Sequence, residues 1–154
     1  MNLTRVIAPV GPVVDLEDLK QHLRVSGSDS DMIIANLEKA AVAHLDGWRG
    51  VLGRCIQPQT WKVSFSHTGT FHLPFPDITS VSGGVWNASG KYVTLDNGTD
   101  VTFTCALPED AMWAVQQAIK VWVSIHYDKL SGPEYVAHQA TFDGLISPIR
   151  WGGV

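Results

Sequence analysis

Charged residues are scarce in this sequence of 154 residues. They form 17% of the chain, whereas a typical soluble domain carries roughly 25%. The 11 lysines and arginines are scattered, and the formal net charge at pH 7 is −4. Proteins that bind duplex DNA through its phosphates need clustered cations, so the composition argues against that role. A poorly charged surface is instead expected where part of it is covered in the working state.

Long hydrophobic runs are missing too. No run of about 18 apolar residues, the length needed for a membrane-spanning helix, occurs in the sequence. The first residues, MNLTRVIAPVGPVVDLED, lack the charged section and the long apolar section of a signal peptide. Their prolines and glycine instead predict an extended arm, and we expect no contact with a membrane.

Sequence motifs that carry chemistry are likewise absent. The sequence contains no GxSxG, HExxH, CxxC or P-loop pattern, so we predict no catalytic residue, no cofactor and no metal ion. Its six histidines are dispersed along the chain and are expected to be structural. His44 and His126 fall on apolar helix faces, which predicts that they are hydrogen-bonded core residues.

The two cysteines, Cys55 and Cys105, lie in apolar surroundings. We predict buried, reduced thiols of the kind found in cytosolic proteins, and a disulfide between them is the alternative. An enzymatic alternative also stays open. A small hydrolase would use Cys55, next to Arg54, or the neighbouring pair His67 and His72.

The spacing of apolar residues predicts an α+β fold in a single domain. A period of 3.6 residues indicates a short helix, a long helix over residues 31–52 and a third helix that begins at Pro108. The predicted architecture is about three helices, with a small antiparallel β-sheet inserted between the second and the third. Its parts are an N-terminal arm (1–14), helices (15–53), a β-region (55–107), a helix (108–130) and an extended C-terminal tail (131–154).

A period of two residues marks the β-region. It predicts strands over residues 60–67, 71–75, 78–88, 91–95 and 101–107. Turn signals separate most of them, and Pro74 indicates that the second strand lies at an edge of the sheet. Because each strand is followed closely by the next, we predict a sheet built from consecutive hairpins.

Two adjacent apolar stripes cover the third helix, and this pattern predicts burial on more than one side. We expect the second helix on one side and either the sheet or a neighbouring subunit on the other. Of the six tryptophans, Trp48, Trp61 and Trp122 fit the core. Trp113, between the two stripes, and Trp151, in the tail, are the candidates for an interface.

The sequence ends in LISPIRWGGV, which places Ile146, Ile149 and Trp151 where polar residues are usual. Two interpretations stay open: the tail folds back onto its own core, or it lies on another molecule. A partner would bind such a tail by strand addition or by taking its large side chains into a pocket.

Several segments follow one another in an informative order. They are LEDLKQHLRV, SGSDSDM, IIANLEKAAVAHLDGWRGVL, IQPQTWKVSF, LPFPDITSV, LPEDAMWAVQQAIKVWVSIHYD and GLISPIRW. This order resembles the head–tail connector (adaptor) proteins of tailed bacteriophages and related gene-transfer particles. The matching positions are Leu19, Lys20, Leu23, Arg24, Val25, Asp31, Ala40, Ala41, Gly53, Arg54, Gln59, Thr60, Trp61, Leu73, Pro74, Ile78, Ser80, Val81, Pro108, Ala118, Ile119, Tyr127, Leu145, Ile146, Pro148 and Arg150.

The resemblance implies a structural role without catalysis. About a dozen copies would form a ring below the portal protein, continue the DNA channel and offer a platform to the next neck or tail protein. DNA would pass through the channel without sequence-specific binding. The chain would reside in the neck of the virion after assembly in the cytoplasm of the bacterial host.

The resemblance and the unusual places of some apolar residues in the sequence together suggest which residues contact the portal or a neighbour in the ring. These candidates are Trp113, Leu145, Ile146, Pro148, Ile149, Arg150 and Trp151. Two other interpretations stay open besides the hydrolase: a head-closure or tail-terminator protein of a phage neck, and a generic protein-interaction module. Head-closure and tail-terminator proteins are mostly β-barrels, so the predicted helices argue against them.

Overall fold

Four α-helices and two antiparallel β-sheets form the fold in the computed structural model, which describes residues 1–152. The helices are α1 (Leu16–Leu23), α2 (Asp31–Leu45), α3 (Glu109–Tyr127) and α4 (Gly132–Ile146), and a turn of 3-10 helix (Ser147–Ile149) follows α4. The strands are β1 (Asn2–Ile7), β2 (Gln59–Ser64), β3 (Gly69–His72), β4 (Ile78–Ser82), β5 (Val85–Asn87), β6 (Tyr92–Leu95) and β7 (Asp100–Cys105). The fold is α+β, as predicted, but its parts are arranged differently.

The third helix is the centre of the helical core. α3 packs against both α4 and α2, with a smaller contact to α1. The expectation that the sheet covers the second apolar stripe of α3 is therefore wrong, because α4 of the same chain packs there instead. Contact of α3 with a neighbouring subunit stays a prediction. The buried residues of this core are Val13, Val14, Leu19, Ile34, Ala41, Leu45, Leu52, Ile56, Leu107, Val115, Ala118, Ile119, Val123, Phe142 and Ile146.

A buried carboxylate holds the segment that leads into α1. Glu38 on α2 is 4% exposed. It accepts a hydrogen bond from the backbone N–H of Val13 at 2.8 Å and a longer one from Val14 at 3.4 Å. A buried charge is costly unless donors surround it, so these two N–H groups fix where the segment enters the helical core. Gln116 on α3 donates to the Val13 carbonyl and holds the same segment from the other helix.

The two sheets enclose a second core, which we call the β core. The first sheet has the strand order β1-β2-β7-β4 and the second has the order β3-β6-β5. Along β6 and β7 every second side chain is buried, as the period of two predicts. The buried residues of the β core are Cys55, Val63, Leu73, Phe75, Val93, Leu95, Val101, Phe103 and Cys105.

A disulfide joins Cys55 to Cys105 in the β core, with the two Cα atoms 5.9 Å apart. The prediction of reduced thiols is wrong, and the alternative is observed. Cys105, at the end of β7, pairs with Gln59 at the start of β2, so strand pairing brings Cys55 close to it. The cysteines are 50 residues apart in the sequence. A separation of this length does not indicate whether the two Cα atoms lie close enough in the fold for a disulfide.

The predicted N-terminal arm is a strand of the first sheet. β1 pairs antiparallel with β2, placing Leu3 opposite Val63 and Arg5 opposite Trp61. The segment is extended, as expected, but it belongs to the sheet instead of preceding the fold. Only Leu3 of β1 is partly buried, and the other residues of the strand are exposed. A strand with so little buried surface needs no alternation of apolar and polar residues, so the sequence pattern did not predict it.

Of the consecutive hairpins predicted for the β-region, the one that joins β5 to β6 is observed and the others are not. β2 pairs with β1 and β7, while β3 pairs with β6 in the other sheet. The strand predicted over residues 78–88 is broken at Gly83, where φ is +99°, and its halves β4 and β5 join different sheets. Alternation identifies the faces of a strand but not its partner, and this explains the error. β3 does lie at an edge of its sheet.

The predicted extended tail is helical, and it supplies the fourth helix. α4 contains Pro133 in its first turn, where a proline is tolerated, and it buries Phe142 and Ile146. Tyr135 and Val136 on the same helix are exposed. Apolar residues therefore occur on several faces of α4, and this hides the period of 3.6 residues that would predict a helix.

The second helix ends earlier than predicted, at Leu45 instead of residue 52. Asp46 is extended, and its carboxylate accepts a hydrogen bond from the backbone N–H of Ile56 at 2.8 Å. Gly47 follows with a φ of +80°, which favours glycine. Leu52 is nevertheless buried in the helical core from the turn that follows, so the apolar spacing continues past the end of the helix.

Three side chains predicted to lie in the core are exposed: His44, Trp48 and His126. The ring of His126 stacks on Trp122 with the ring centroids 3.8 Å apart, and its Nδ1 donates to the Trp122 carbonyl at 2.8 Å. Flat rings of this kind can cover an apolar surface while one edge stays in water. Trp61 and Trp122 are partly buried against the two cores, as expected.

Candidate interaction surface

Three neighbouring grooves meet at Trp48. The largest has a volume of about 820 Å³ and is lined by Trp48, Pro74, Phe75, Trp86 and Trp151 among others. The second groove includes Arg150, and the third lies between Trp48 and Trp61. We call this region the Trp48 surface, and its outer residues are Arg5, Trp48, Arg49, Lys91, Arg150 and Trp151.

The turn after α2 carries Trp48 into solvent. The backbone N–H of Gly47 donates to the Arg54 carbonyl at 2.9 Å and closes this turn. Trp48 is 47% exposed. One side of its ring meets Phe75 edge to face, with the centroids 6.0 Å apart. The aromatic ring is thus supported by the β core and still presents an apolar face to a partner.

Arg54 connects the turn to the C-terminal segment. Its guanidinium forms a two-pronged ion pair with Asp77, with N–O distances of 2.7 and 2.9 Å. The remaining nitrogen donates to the Ile149 carbonyl at 2.9 Å. Both charged side chains are largely buried, so these charge-assisted bonds are stronger than neutral ones at the surface.

Trp151 is attached to the same turn through its backbone. Its N–H donates to the Leu52 carbonyl at 2.7 Å. A Cβ atom at Gly53 would lie 3.0 Å from the Trp151 carbonyl oxygen, and Gly53 has a φ of +63°. Both observations favour glycine at this position. The Gly53-Arg54 pair therefore positions the C-terminal segment beside Trp48.

The residues predicted to bind partners have different environments. Ile146 is 4% exposed in the helical core, and Leu145 and Ile149 pack against that core. Pro148 and Arg150 are exposed, and Trp151 is 41% exposed on the Trp48 surface. The tail thus folds back onto its own subunit and still leaves side chains in solvent.

Trp113 lies on α3 and is 65% exposed. It lines none of the grooves of the Trp48 surface. The structure brings Arg150 and Trp151 together but leaves Trp113 on a separate surface. Partner binding by all seven predicted residues stays a prediction.

Several residues of the Trp48 surface were missed by the sequence interpretation, namely Arg5, Trp48, Arg49 and Lys91. Trp48 and Arg49 had a local signal, because they lie between Gly47 and Gly50 and a pair flanked by glycines is typical of a turn. Lys91 had one too, since it follows the turn signal Ser89-Gly90 between β5 and β6. The sequence holds no comparable signal for Arg5 in β1.

The residues considered for catalysis do not form a site. Cys55 is in the disulfide and has no thiol to act as a nucleophile. His67 contacts the Ser66 hydroxyl, while His72 donates to the Lys91 carbonyl at 3.1 Å. Within residues 1–152, no three His, Cys, Asp or Glu side chains lie close enough to hold a metal ion. In the same range no helix is long and apolar enough to cross a membrane.

Three side chains away from the Trp48 surface have shifted pKa values. A hydrogen bond to Asp31 raises the pKa of Lys20. A hydrogen bond from Lys62 lowers the pKa of Asp100. Burial, reinforced by the nearby positive charges of Lys120 and His138, lowers the pKa of His22.

No protein-family model matches the sequence, and no curated protein matches it significantly. The fold is similar to that of a chain in a solved structure described as the neck of an empty GTA (gene-transfer-agent) particle, computed with C6 symmetry. The likeness has a TM-score of 0.65 at 16% sequence identity, and it covers 100% of this chain and 97% of that chain. This chain therefore has the fold of a protein from the neck of a phage-like particle.

Proposed function

We propose that this protein is a head–tail connector, or adaptor, of a tailed phage or phage-like particle. About a dozen copies form a ring below the portal protein and continue the DNA channel, with DNA passing through without sequence-specific binding. The lower side of the ring is the platform for the next neck or tail protein. In this role the protein assembles in the host cytoplasm and works in the neck of the virion.

The likeness in fold to a neck protein is the observation that carries this proposal. It extends over the whole chain, including the C-terminal segment and both sheets. The neck in that structure was computed with C6 symmetry, and a ring of a dozen copies is compatible with sixfold symmetry. The Trp48 surface also supports the proposal, since exposed tryptophans surrounded by polar residues are typical of protein interfaces.

The C-terminal segment is the part proposed to meet the portal. The Arg54 guanidinium and the Leu52 carbonyl hold its backbone, so the exposed side chains of Pro148, Arg150 and Trp151 have defined positions on the surface of the subunit. A segment that is already ordered loses little conformational entropy when it binds. This favours docking of a preformed terminal surface over capture of a loose tail.

The test is to measure whether the protein joins portal-bearing heads after removal of residues 150–154. The deletion begins beyond Ile146 and Ile149, so the helical core stays complete. We expect a folded protein, with an unchanged far-ultraviolet circular dichroism spectrum, that no longer sediments with the heads. The double substitution Arg150→Ala with Trp151→Ala is expected to act in the same way.

Met32→Ala is the matched control, because Met32 is 77% exposed on α2, outside the C-terminal segment. It should leave attachment unchanged. Normal attachment of the shortened protein would exclude the segment as the portal anchor. Failure of the unaltered protein to join heads or to form a ring on the portal would exclude the connector function itself.

A further inference from the structure

The Trp48 surface carries cations that form no salt bridge within residues 1–152. Arg5, Arg49, Lys91 and Arg150 are exposed there, which is four of the chain's 11 basic residues. Within the described part of the chain, salt bridges join other pairs: Lys20 with Glu17 and Asp31, Arg54 with Asp77, and Lys62 with Asp100. The guanidinium carbon of Arg5 lies 5.9 Å from the centre of the Trp61 ring, so this cation contacts an aromatic ring and not a carboxylate of the described residues.

The carboxylates that line the same grooves are already engaged. Asp77 is paired with Arg54, and Asp46 accepts hydrogen bonds from the Gln59 side chain and from the Ile56 N–H. The surface is therefore positive although the whole chain has a net charge of −4. Between the cations lie apolar grooves with Trp48 and Trp151 at their rims, so a fitting partner combines carboxylates with a large apolar side chain.

The first turns of α3 present that combination. Glu109, Asp110 and Trp113 are all exposed, and we call them the Trp113 surface. The two carboxylates precede Trp113 by four and three residues, so the three side chains lie on one face of the helix. Neither carboxylate forms a salt bridge among residues 1–152. The Trp113 surface shares no residue with the grooves at Trp48.

We propose that the Trp48 surface of one copy receives the Trp113 surface of the next copy. This inference rests on the proposed function, because it names the two faces that meet in the ring. A ring needs a heterologous contact, in which a surface meets a different surface of its neighbour. In this contact Trp113 enters the apolar groove, while Glu109 and Asp110 meet cations such as Arg49 and Lys91.

Nucleic acid is the competing occupant of a surface that combines cations with tryptophans. It would satisfy the Trp48 surface but would leave Trp113 and its two carboxylates without a partner, and those carboxylates repel phosphate. A second copy satisfies both surfaces at once. Charge complementarity therefore favours contact between two protein subunits.

A charge-exchange experiment tests the contact. One variant carries Arg49→Glu with Lys91→Glu, and the other carries Glu109→Lys with Asp110→Lys. In each variant alone, positions 49 and 91 of one copy and positions 109 and 110 of the next copy carry like charges where they meet, and we expect the protein concentration at half assembly to rise at least about tenfold. An equal mixture restores assembly, because the two variants can alternate around the ring and each contact then pairs acidic with basic side chains at these positions. Native mass spectrometry on the portal, with one variant isotope-labelled, counts both kinds of subunit.

Arg150 and Trp151 belong to both proposals, whereas Arg49 and Lys91 lie outside the terminal segment proposed to meet the portal. The charge exchange therefore tests the contact between copies separately from the portal anchor. Absence of any ring from the unaltered protein overturns the connector function. A normal ring from either charge variant alone, or no recovery in the mixture, overturns the contact and leaves the connector function standing. Lys39→Glu with Lys129→Glu places the same charge change on exposed residues elsewhere and should leave assembly intact.

Trp113→Ala gives a second measurement that does not depend on charge. Alanine is a good helix former, so the variant is expected to fold. We expect assembly to weaken by at least about tenfold, since buried tryptophans often dominate interfaces. Unchanged assembly overturns the contact. A gel-shift assay tests the competing occupant. If the unaltered protein retards DNA, and the variant with Arg49→Glu and Lys91→Glu loses this retardation but still forms a normal ring, the surface is a nucleic-acid site and the contact between copies is overturned.

Discussion

The helical core and the β core are stabilised in different ways. Both cysteines of the chain are in the β core, so the helical core has no covalent cross-link and depends on apolar burial and on the buried hydrogen bonds at Glu38. The strands of the β-region are three to six residues long, and many of their side chains are exposed. Short strands bury little apolar surface, and a disulfide compensates by restricting the unfolded chain.

The comparison also explains where the exposed recognition groups lie. α3 packs against other helices of the same subunit, and Trp113 is its one exposed large apolar side chain among the described residues. The Trp48 surface lies where the turn after α2, the β-region and the C-terminal segment meet. Loops and turns that a rigid scaffold holds in place can carry binding residues without destabilising the buried core.

Phe142→Ala should have the largest effect and tests how far the helical core depends on burial. Phe142 is 2% exposed, and removing a buried phenylalanine ring costs about 3–5 kcal/mol of the free energy of unfolding. Urea denaturation followed by circular dichroism measures the loss. Val136→Ala on the same helix alters a side chain that is 65% exposed and is expected to change stability by less than about 0.5 kcal/mol. Equal effects from both substitutions would contradict the position of α4.

Replacing both cysteines by alanine should have the next largest effect, and it tests the covalent support of the β core. Loss of the disulfide is expected to cost about 2–4 kcal/mol of the free energy of unfolding. Both cysteines are 0% exposed, so alkylation of the native, unreduced protein should modify neither. Mass spectrometry after unfolding without reductant should show neither cysteine alkylated. Two alkylated thiols in that sample would show that the bond is absent.

Arg54→Lys tests the link between the β-region and the helical part of the chain. Lysine keeps the charge but cannot form the two-pronged pair with Asp77 and also reach the Ile149 carbonyl. The expected cost is about 1.5–3 kcal/mol, with faster hydrogen exchange at the Trp151 N–H. Arg49→Lys is the matched control, since Arg49 is exposed and forms no salt bridge among residues 1–152. Similar exchange in the two variants would argue against the Arg54 contacts.

The smallest expected effect is a pH dependence in the helical part. The pKa of His22 is lowered from 6.5 by burial and by the charges of Lys120 and His138. The unfolded chain therefore binds the proton more readily, and stability is full above pH 6.5 and falls as the pH drops toward the lowered pKa. His22→Gln should flatten this part of a stability curve measured by urea denaturation between pH 7.5 and 5. A curve of unchanged slope would exclude His22 as the cause.

Much of the local structure was predictable, but the pairing of elements was not. α1 and α3 follow the apolar period closely, and the strand segments follow alternation. α4 was missed because its apolar residues do not form one stripe. The partners of β3 and β4 were also missed, since a register between distant strands leaves no local pattern.

The candidate surface was predictable only in part. Arg150 and Trp151 stood out as unusual residues in a terminal segment, and Trp113 stood out between two apolar stripes. Trp48 was assigned to the core because the helical spacing continues past Leu45, where the helix ends. Arg5 and Lys91 reach the same surface only through strand pairing, so no sequence window contains them together.

The sequence by itself determined the class of the fold, the positions of α1 and α3 and most strand segments, because these depend on neighbours within a few residues. Only the tertiary structure decided the strand order, the Cys55–Cys105 bond, the helical C-terminal segment and the Trp48 surface. Each of these depends on groups that are distant in the chain. The packing of the two cores brings these groups together, and the local spacing of apolar residues does not predict such long-range contacts.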